Sequence, residues 1–552
     1  MDQSLYEQAM DVEETDDMFL SKEMLYVIDS NSQSYSGQVI FDTSSLGNSD
    51  LWLSYKEGYV HIPFVITAKG AANQTAAMNG FVLGLKNGNH QIINSIQVDY
   101  GNVNVVPARD FSNAFISYKM LTSFSKDDVE KWSSTTGFYP DSGVSWYYSA
   151  NAGVGGQGFK NNRVVPSADR AVANYLTDLE QSNDGLFERM QNTGYSNDAT
   201  GLFGNFTSLP NPNDSAKSYY QTDSVAAAGR VYFWVVEATI RLRDLHSFFD
   251  QMPLVRGNNL RISINYNSCN TSIEVAGAGG NVSQTVNTMK SGLTNPLIFA
   301  SNAPRNPSAA IAADTLSVQC GVVSTAEGDA SAATRTPAFN HCRLYVPGYR
   351  INPMYEKQLI STVPKKMVTY EDIFYTKASN IGAGQSFNKI CTNGIRRAKY
   401  LVAVPVISSI NVGTTLPEYQ SVFSTTPGTT SPLIDITNFN VQFGGRNVFE
   451  QALDYNFSHF LDEVSRVNAL NGGVSEGLTS GLLSERDFAI GYKYLVADLS
   501  RRSEGDYNVP RSVIISGTNR SSQTIDLLIF IVQDKKIEVD MITGGVVGVA
   551  LD

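Results

Sequence analysis

The sequence predicts an all-β protein with inserted helices, built in two halves, and three observations carry that prediction. Charged residues make up 17% of the 552 residues, below the quarter or so usual in globular proteins, while Gly, Ser, Thr, Asn, Tyr and Phe are abundant. Such a composition favours strands joined by polar loops over helix bundles. Short apolar runs, alternating or continuous, recur along the chain between Gly, Asn and Pro. The chain is also longer than one core ordinarily serves, so two or more domains are expected.

The most informative unit is 240–266, IRLRDLHSFFDQMPLVRGNNLRISINY. Leu260, Ile262, Ile264 and Tyr266 alternate with Arg261, Ser263 and Asn265, the period of a strand with one dry face. Ile240, Arg241, Leu242 and Arg243 show the same habit. Between them Leu245, Phe248, Phe249 and Met252 follow helical spacing from Asp244, read as an N-cap, and Pro253 ends the turn. The unit therefore predicts a sandwich corner plugged by a helix. Asp244 reads as a cap and His246 as a neighbour of phenylalanines, not as a catalytic pair.

Residues 1–24 are acidic and lack periodicity, which predicts a flexible N-terminal arm. From there to about 107 come the strand-like runs MLYVID, GQVIFD, HIPFVITA, GFVLGL and INSIQVDY. The Asn-Gly within KNGNH (86–90) predicts a hairpin. Residues 111–132 and 167–192 have helical spacing, the second opening on Ser167 and Asp169 and continuing through Val172, Leu176, Leu179 and Leu186. The span from about 110 to 228 reads as one long insertion folded into a projection, the kind of excursion that carries a functional surface. Within it GVGGQG (153–158) satisfies the GxGxxG pattern, but WYYSANA precedes it and the next helix is expected only at Ser167. The strand–turn–helix context of a dinucleotide site is missing, so a loop is expected.

Residues 270–336 are of low complexity apart from LSVQCGVV (316–323), a predicted strand, and HCRLYVPGY follows as another. A boundary falls near 360, because KKMVTYEDIFYTK (365–377) restarts strand patterning in a new register. The halves are thus 25–360 and 361–552. AKYLVAVPVI (398–407) and IDLLIFIV (525–532) are continuous apolar runs, as central strands covered on both faces require, and KKIEVDMIT (535–543) alternates. Phe449, Leu453, Phe457, Phe460, Val464 and Val467 predict an amphipathic helix at about 446–470, stopped near Asn471-Gly472-Gly473. His459 lies on it with no spaced carboxylate or Cys and reads as capped or solvated.

These residue types also bound the function. A net charge of −12 argues against sequence-specific or phosphate-gripping nucleic-acid binding, and Lys365-Lys366, Arg396-Arg397, Arg501-Arg502 and Lys535-Lys536 are too short to be binding tracts. Cys269, Cys320, Cys342 and Cys391 are far apart, form no CxxC or Cys/His cluster, and read as buried reduced thiols. The acidic start MDQSLYEQAMDVEETDD does not look like a signal peptide. The longest apolar run, Leu527–Val532, is too short to span a bilayer, so no transmembrane segment is expected. A reducing, soluble compartment follows, in which the seven Asn-x-Ser/Thr sequons, such as the one at Asn205, reflect composition only. With only His61, His90, His246, His341 and His459 available, no Ser/His/Asp order or metal spacing emerges. No catalytic, cofactor-binding or metal residue is assigned, and no cofactor is expected.

The ordered segments FVLGLKNGNHQIINSIQVDY (81–100), RLRDLHSFFDQMPLVRGNNLRISIN (241–265), CRLYVPGY (342–349), SFNKICTNGI (386–395), TTSPLIDITNFNVQFGGRNVF (429–449) and LTSGLLSERDFAIGYKYLVADLSRRSEGDYNVPRSVIISGTN (478–519) span nearly the whole chain. In them the chain resembles the double jelly-roll major capsid proteins of polinton-like viruses, virophages and the adenovirus-like lineage. The resemblance implies two consecutive eight-stranded jelly rolls, side by side, and three chains forming a pseudo-hexagonal capsomer of an icosahedral shell. It implies that 110–228 is an outward tower open to a host receptor. It makes the acidic arm before Met24 and the tail GGVVGVALD candidates for contacts between capsomers. The partners implied are the chain itself as a homotrimer, neighbouring capsomers, and minor capsid, penton or cement proteins. The location implied is the virion, assembled inside the host cell. Helices 244–252 and 446–470 would cover sheet edges. The net negative charge points to a separate basic protein or a membrane between shell and genome.

One alternative from another class is a two-domain β-sandwich carbohydrate-binding protein or glycan-active enzyme, with Trp132–Tyr148, and Trp146, Tyr147 and Tyr148 above all, as a sugar platform. Glu130 and Asp141 are scattered there without an evident acid/base relation. Within the structural class, the alternative is a minor capsid or penton protein. Those are usually single jelly rolls, so two halves favour the major protein.

Overall fold

A computed structural model of the chain describes residues 18–31, 35, 37–47, 49–70, 81–141, 231–257, 259–267, 269–275, 282–287, 296–301, 314–322, 341–407, 434–470, 478–490, 492–502, 509–521 and 524–550, with short pieces between 147 and 218. The predicted helix at 167–192 lies almost wholly outside the described residues, as do Trp146 and most of GVGGQG. Of that pattern, Gly158 opens a short strand, Gly158–Lys160, paired antiparallel with Tyr147–Ser149, where a dinucleotide site would begin a helix.

Sixteen strands fall into two series of eight. The first is β1 (Phe19–Ile28), β2 (Gln38–Asp42), β3 (Tyr59–Gly70), β4 (Ile93–Tyr100), β5 (Val103–Val106), β6 (Val231–Arg241), β7 (Leu260–Tyr266) and β8 (Arg343–Ile351). The second is β9 (Lys365–Ile381), β10 (Ser386–Ile395), β11 (Ala398–Ile407), β12 (Ile436–Phe443), β13 (Arg446–Asn447), β14 (Leu495–Asp498), β15 (Arg511–Asn519) and β16 (Ile525–Asp540). Every pairing among them is antiparallel. In the first series the two sheets run β1-β8-β3-β6 and β2-β7-β4-β5; in the second they run β9-β16-β11-β14 and β10-β15-β12-β13. Adding eight to each label of the first series gives the second. The chain thus folds twice into the same two-sheet sandwich. Extra strands extend the first sheet: β3 pairs with β8 at its start and with Asp314–Gly321 at its end.

The alternation read from sequence places the core. On β3, Val60, Ile62, Phe64 and Ile66 are buried, and on β7 Leu260, Ile262 and Ile264 are fully so. β16 shows both of its predicted regimes in one strand: Ile525–Val532 is buried on both faces, and the pattern turns intermediate from Gln533. The 240–266 unit joins the two sheets of the first sandwich, since β6 pairs with β3 and β7 pairs with β2 and β4.

Several expectations need correction. The corner holds two short helices, α3 (Leu242–Leu245) and α4 (Ser247–Gln251), where one was predicted. Asp244 is not the cap: it pairs with Arg241 at 2.6 Å, and the His246 ring caps α4 by accepting from the Phe248 amide at 3.1 Å. The Asn-Gly turn does reverse the backbone, with Asn87 at φ 56°, but Phe81–Leu85 pairs with Leu297–Ser301 while β4 pairs with β7, so no hairpin forms. The 111–132 helix is two helices, α1 (Ser112–Ser123) and α2 (Lys126–Thr136), separated by a capping box in which Ser125 and Asp128 satisfy each other's backbone amides. After α5 (Pro353–Thr362), the 446–470 helix is only α6 (Phe457–Leu470); Gly444 and Gly445, at φ 59° and 80°, turn the chain into the β12–β13 hairpin, and Leu453 bridges to Phe439. The first strand starts at Phe19, inside the expected arm, and the tail supplies a strand, Val546–Ala550, paired with β16.

Candidate functional site

The chemistry of the molecule concentrates at the seam between the two sandwiches. In both series the connection between the fifth and sixth strands carries helices: α1 and α2 in the first, α6 and α7 (Glu485–Ile490) in the second. Nine of the twelve residues of α1 are buried, as expected of a helix covered on both sides. One side is fixed to its own sandwich. The Asn113 amide donates to Gln91 Oε1 at 2.9 Å, and Ser117 Oγ bonds His90 Nε2 at 2.8 Å and accepts from Gln91 Nε2 at 2.9 Å. The other side meets the β9-β16-β11-β14 sheet, with Phe111 against Tyr375 at 5.2 Å, Phe115 against Phe530 at 5.5 Å and Tyr118 against Tyr494 at 5.1 Å between ring centroids. Such ring pairs add about 0.5–1.5 kcal/mol each beyond their area. The buried apolar residues of both sandwiches consequently form one continuous core.

Charged groups rim this contact. Glu371 on β9 accepts from Lys119 of α1 at 3.4 Å and from Lys399 of β11 at 3.1 Å, and Lys399 also reaches Asp534 at 3.0 Å. Burial pushes the Glu371 carboxyl up, but the two ammonium groups outweigh it and hold its pKa below the ordinary value. Asp372 pairs with Lys535 at 2.6 Å and faces His246 Nε2 at 4.0 Å. Burial holds the His246 pKa down at about 4, so the ring is neutral at pH 7 and can accept the Phe248 amide. The corner also covers the edge of β9, since the Glu371 amide donates to Ser247 Oγ at 3.3 Å, and β5 meets it too, where Tyr370 Oη donates to the Val105 carbonyl at 2.7 Å. A cavity of about 140 Å³ remains between α1, the corner and β9, lined by Lys119, Arg243, His246, Glu371 and Val532 among others.

A second tie lies beside it. Asp141 accepts from the Asn87 amide at 2.8 Å and from the Arg189 guanidinium, Arg189 donates to the Leu85 carbonyl at 3.0 Å, and Tyr492 of the second series donates to the Asp141 carbonyl at 2.8 Å. Asp141 is therefore a buried clamp, while Glu130 is exposed on α2, so the two do not form a pair flanking a sugar. The histidines divide likewise: His61 pairs with Glu237 at 3.0 Å, His90 is buried against Ser117, and His459 exchanges backbone caps with Asn456. Cys342 and Cys391 are free and buried, and Cys320 is buried. Among the described residues no group of three or more His, Cys, Asp or Glu is placed to hold a metal, and no helix is long and apolar enough to cross a membrane. The arrangement is suited to holding two sandwiches rigidly together. What sequence reasoning missed was α1 as the central contact; its signal was the run Ala114–Leu121, apolar on several sides of the helix apart from Ser117 and Lys119.

Two sandwiches of identical strand order, each with helices in the same connection, define the class by fold: a double jelly roll. One solved structure agrees with that fold, and two others are similar to the chain at lower TM-scores. A chain in the structure of the Sputnik virophage superimposes with a TM-score of 0.50 at 10% identity, covering 97% of this chain and 90% of that one. The mavirus major capsid protein gives 0.44 at 10% identity, covering 96% and 90%, and the faustovirus major capsid protein 0.37 at 10%, covering 94% and 90%. No family model and no curated protein matches the sequence.

Proposed function

We propose that the chain is the major capsid protein of an icosahedral virus, forming pseudo-hexagonal homotrimeric capsomers. The observation that carries this reading is the repeated eight-strand order, fixed across the seam by α1. Two like sandwiches locked in one chain give a building block that three copies can close into a six-sided ring, since identical heterologous contacts generate cyclic oligomers. In this reading the chain divides near residue 360, the 110–228 insertion is an outward tower, and the protein resides in the virion after assembly inside the host cell. Its partners are itself, neighbouring capsomers, and minor capsid, penton or cement proteins, with a receptor contact through the tower. The role is mechanical and not enzymatic. Light scattering and negative-stain imaging of purified protein test it: three-chain particles of hexagonal outline are expected, and elongated single chains at micromolar concentration would count decisively against it.

A further inference from the structure

The seam cavity of about 140 Å³ has a wall richer in free hydrogen-bond donors than in free acceptors. Its apolar part comes from both sandwiches: Phe115, Ile116 and Leu245 from the first, Ile373 and Val532 from the second. An engineered apolar cavity of about 150 Å³ takes up one benzene molecule, so this space suits a ligand body of that size. The carboxylates in the wall are already engaged. Asp244 takes both guanidinium bonds of Arg241, at 2.6 and 3.0 Å, and Glu371 accepts from Lys119 at 3.4 Å and from Lys399 at 3.1 Å.

The donors are less so. Because His246 Nδ1 accepts from the Phe248 amide, the proton of the neutral ring sits on Nε2. Asp372 Oδ1 is 4.0 Å from that nitrogen, beyond hydrogen-bond reach, and the His246 side chain is only 4% exposed. The Ser247 hydroxyl accepts from the Glu371 amide and keeps its own hydrogen to donate. Among the described residues no carboxylate pairs with Arg243, whose guanidinium lies 5.4 Å over the Trp132 ring. A buried donor without an acceptor is costly, and a ligand that supplies the acceptor removes that cost.

We propose that this cavity binds a small organic monocarboxylate, its apolar body between α1 and β9 and its carboxylate accepting from Arg243, His246 Nε2 and the Ser247 hydroxyl, with the Lys119 ammonium beside them. A neutral ligand would leave Arg243 unneutralised. A phosphate would bring a second negative charge against Asp244 and Glu371 and leave the apolar wall without contact. Since the wall is shared between the sandwiches, the bound ligand braces the seam and raises stability by mass action. The site lies within one chain and does not depend on how chains assemble.

Binding of para-fluorobenzoate to the full chain, followed by fluorine NMR line broadening, tests the proposal. para-Fluorobenzyl alcohol serves as the neutral counterpart and inorganic phosphate as the bare anion. Saturable binding of the benzoate is expected, undisplaced by phosphate and about tenfold or more tighter than that of the alcohol, the worth of one charge-assisted hydrogen bond. Arg243→Met should weaken it by a similar factor, while Lys357→Met, at an exposed lysine of α5, should leave it unchanged, with circular dichroism melting to verify folding of each. No saturable binding at millimolar concentration, equal binding of the alcohol, displacement by phosphate or equal binding to folded Arg243→Met each overturns the proposal. A second measurement needs no variant: the bromine of para-bromobenzoate, located by anomalous scattering in crystals of the wild type, is expected between α1 and β9, and a bromine found only elsewhere overturns the assignment.

Discussion

At the scale of single residues, burial decides what each ionisable group can do. His246 lies next to an aspartate, the company a catalytic base would keep, yet its ring is enclosed and spends its lone pair on the Phe248 amide. Burial holds its pKa at about 4, and burial together with Arg189 holds that of His90 at about 3. A folded-state pKa below the unfolded value near 6.5 means that the unfolded chain takes up the proton first. Stability from these two groups is present above about pH 6.5 and lost as pH falls toward 4 and 3, at no more than about 1.4 kcal/mol per pH unit for each. Glu371 works in the same direction lower down: its depressed pKa contributes stability above the ordinary carboxylate range that is lost as the group protonates. Urea midpoints measured between pH 7 and 4 should therefore fall, and His246→Gln should flatten that fall by up to one proton. An unchanged slope would mean that His246 titrates normally. Glu371→Gln leaves Lys119 and Lys399 facing a neutral amide, and because Lys119 is partly in water the expected cost is about 1–3 kcal/mol in the same assay.

At the scale of elements, α1 and the turn before α7 join the halves. Phe115 is 2% exposed and packs at a tilt against Phe530 across the seam. Phe115→Ala should cost about 3–5 kcal/mol, read as a lowered urea midpoint, because the cavity lies between two sheets that cannot close on it. Gly481 sits at φ +69°, and a Cβ there would lie 2.5 Å from the Thr122 carbonyl oxygen and 2.6 Å from that of Leu121. Gly481→Ala should lose at least about 1–2 kcal/mol from the left-handed backbone alone, with the clash against α1 in addition. Differential scanning calorimetry on this variant would read the loss as a lower Tm; a Tm equal to wild type would show that the turn is not held against α1. The elements legible in sequence were those whose neighbours are local or regular. The continuous apolar runs of β11 and β16 and the alternation of β7 are each explained by what one strand buries. The 446–470 helix was overextended because Phe449 and Leu453 keep helical spacing by coincidence while the Asn440 side chain bonds the Phe449 backbone and a backbone bridge to Phe439 holds Leu453. Asp244 was misread as a cap because Arg241, three residues earlier, offered it a stronger partner than the free amides of α4.

At the scale of the whole molecule, the repeat joins two sandwiches of one strand order through one continuous core. The second sandwich has its sheet face covered by α1 of the first, whereas among the described residues β1 at the edge of the matching sheet in the first stays exposed. Exposed Leu20, Met24, Tyr26 and Ile28 are the visible result. Assembly should bury them, so the aromatic and aliphatic side chains of β1 should become protected from covalent labelling on assembly while Ile390 stays reactive. Equal labelling of β1 in free and assembled protein would place the contact elsewhere.

The sequence by itself pointed to the class: composition, strand periodicity and the corner at 240–266 predict β-sandwiches, and the length of the chain predicts more than one. Those signals are local, since a strand's alternation depends only on having one dry and one wet side. What only the tertiary structure decided was the strand order, the identity of the two orders, and the covering of one sheet by α1. Each depends on pairs far apart in the chain, such as Phe115 with Phe530 and Tyr26 with Tyr345, and no local pattern encodes which partner a buried face will meet.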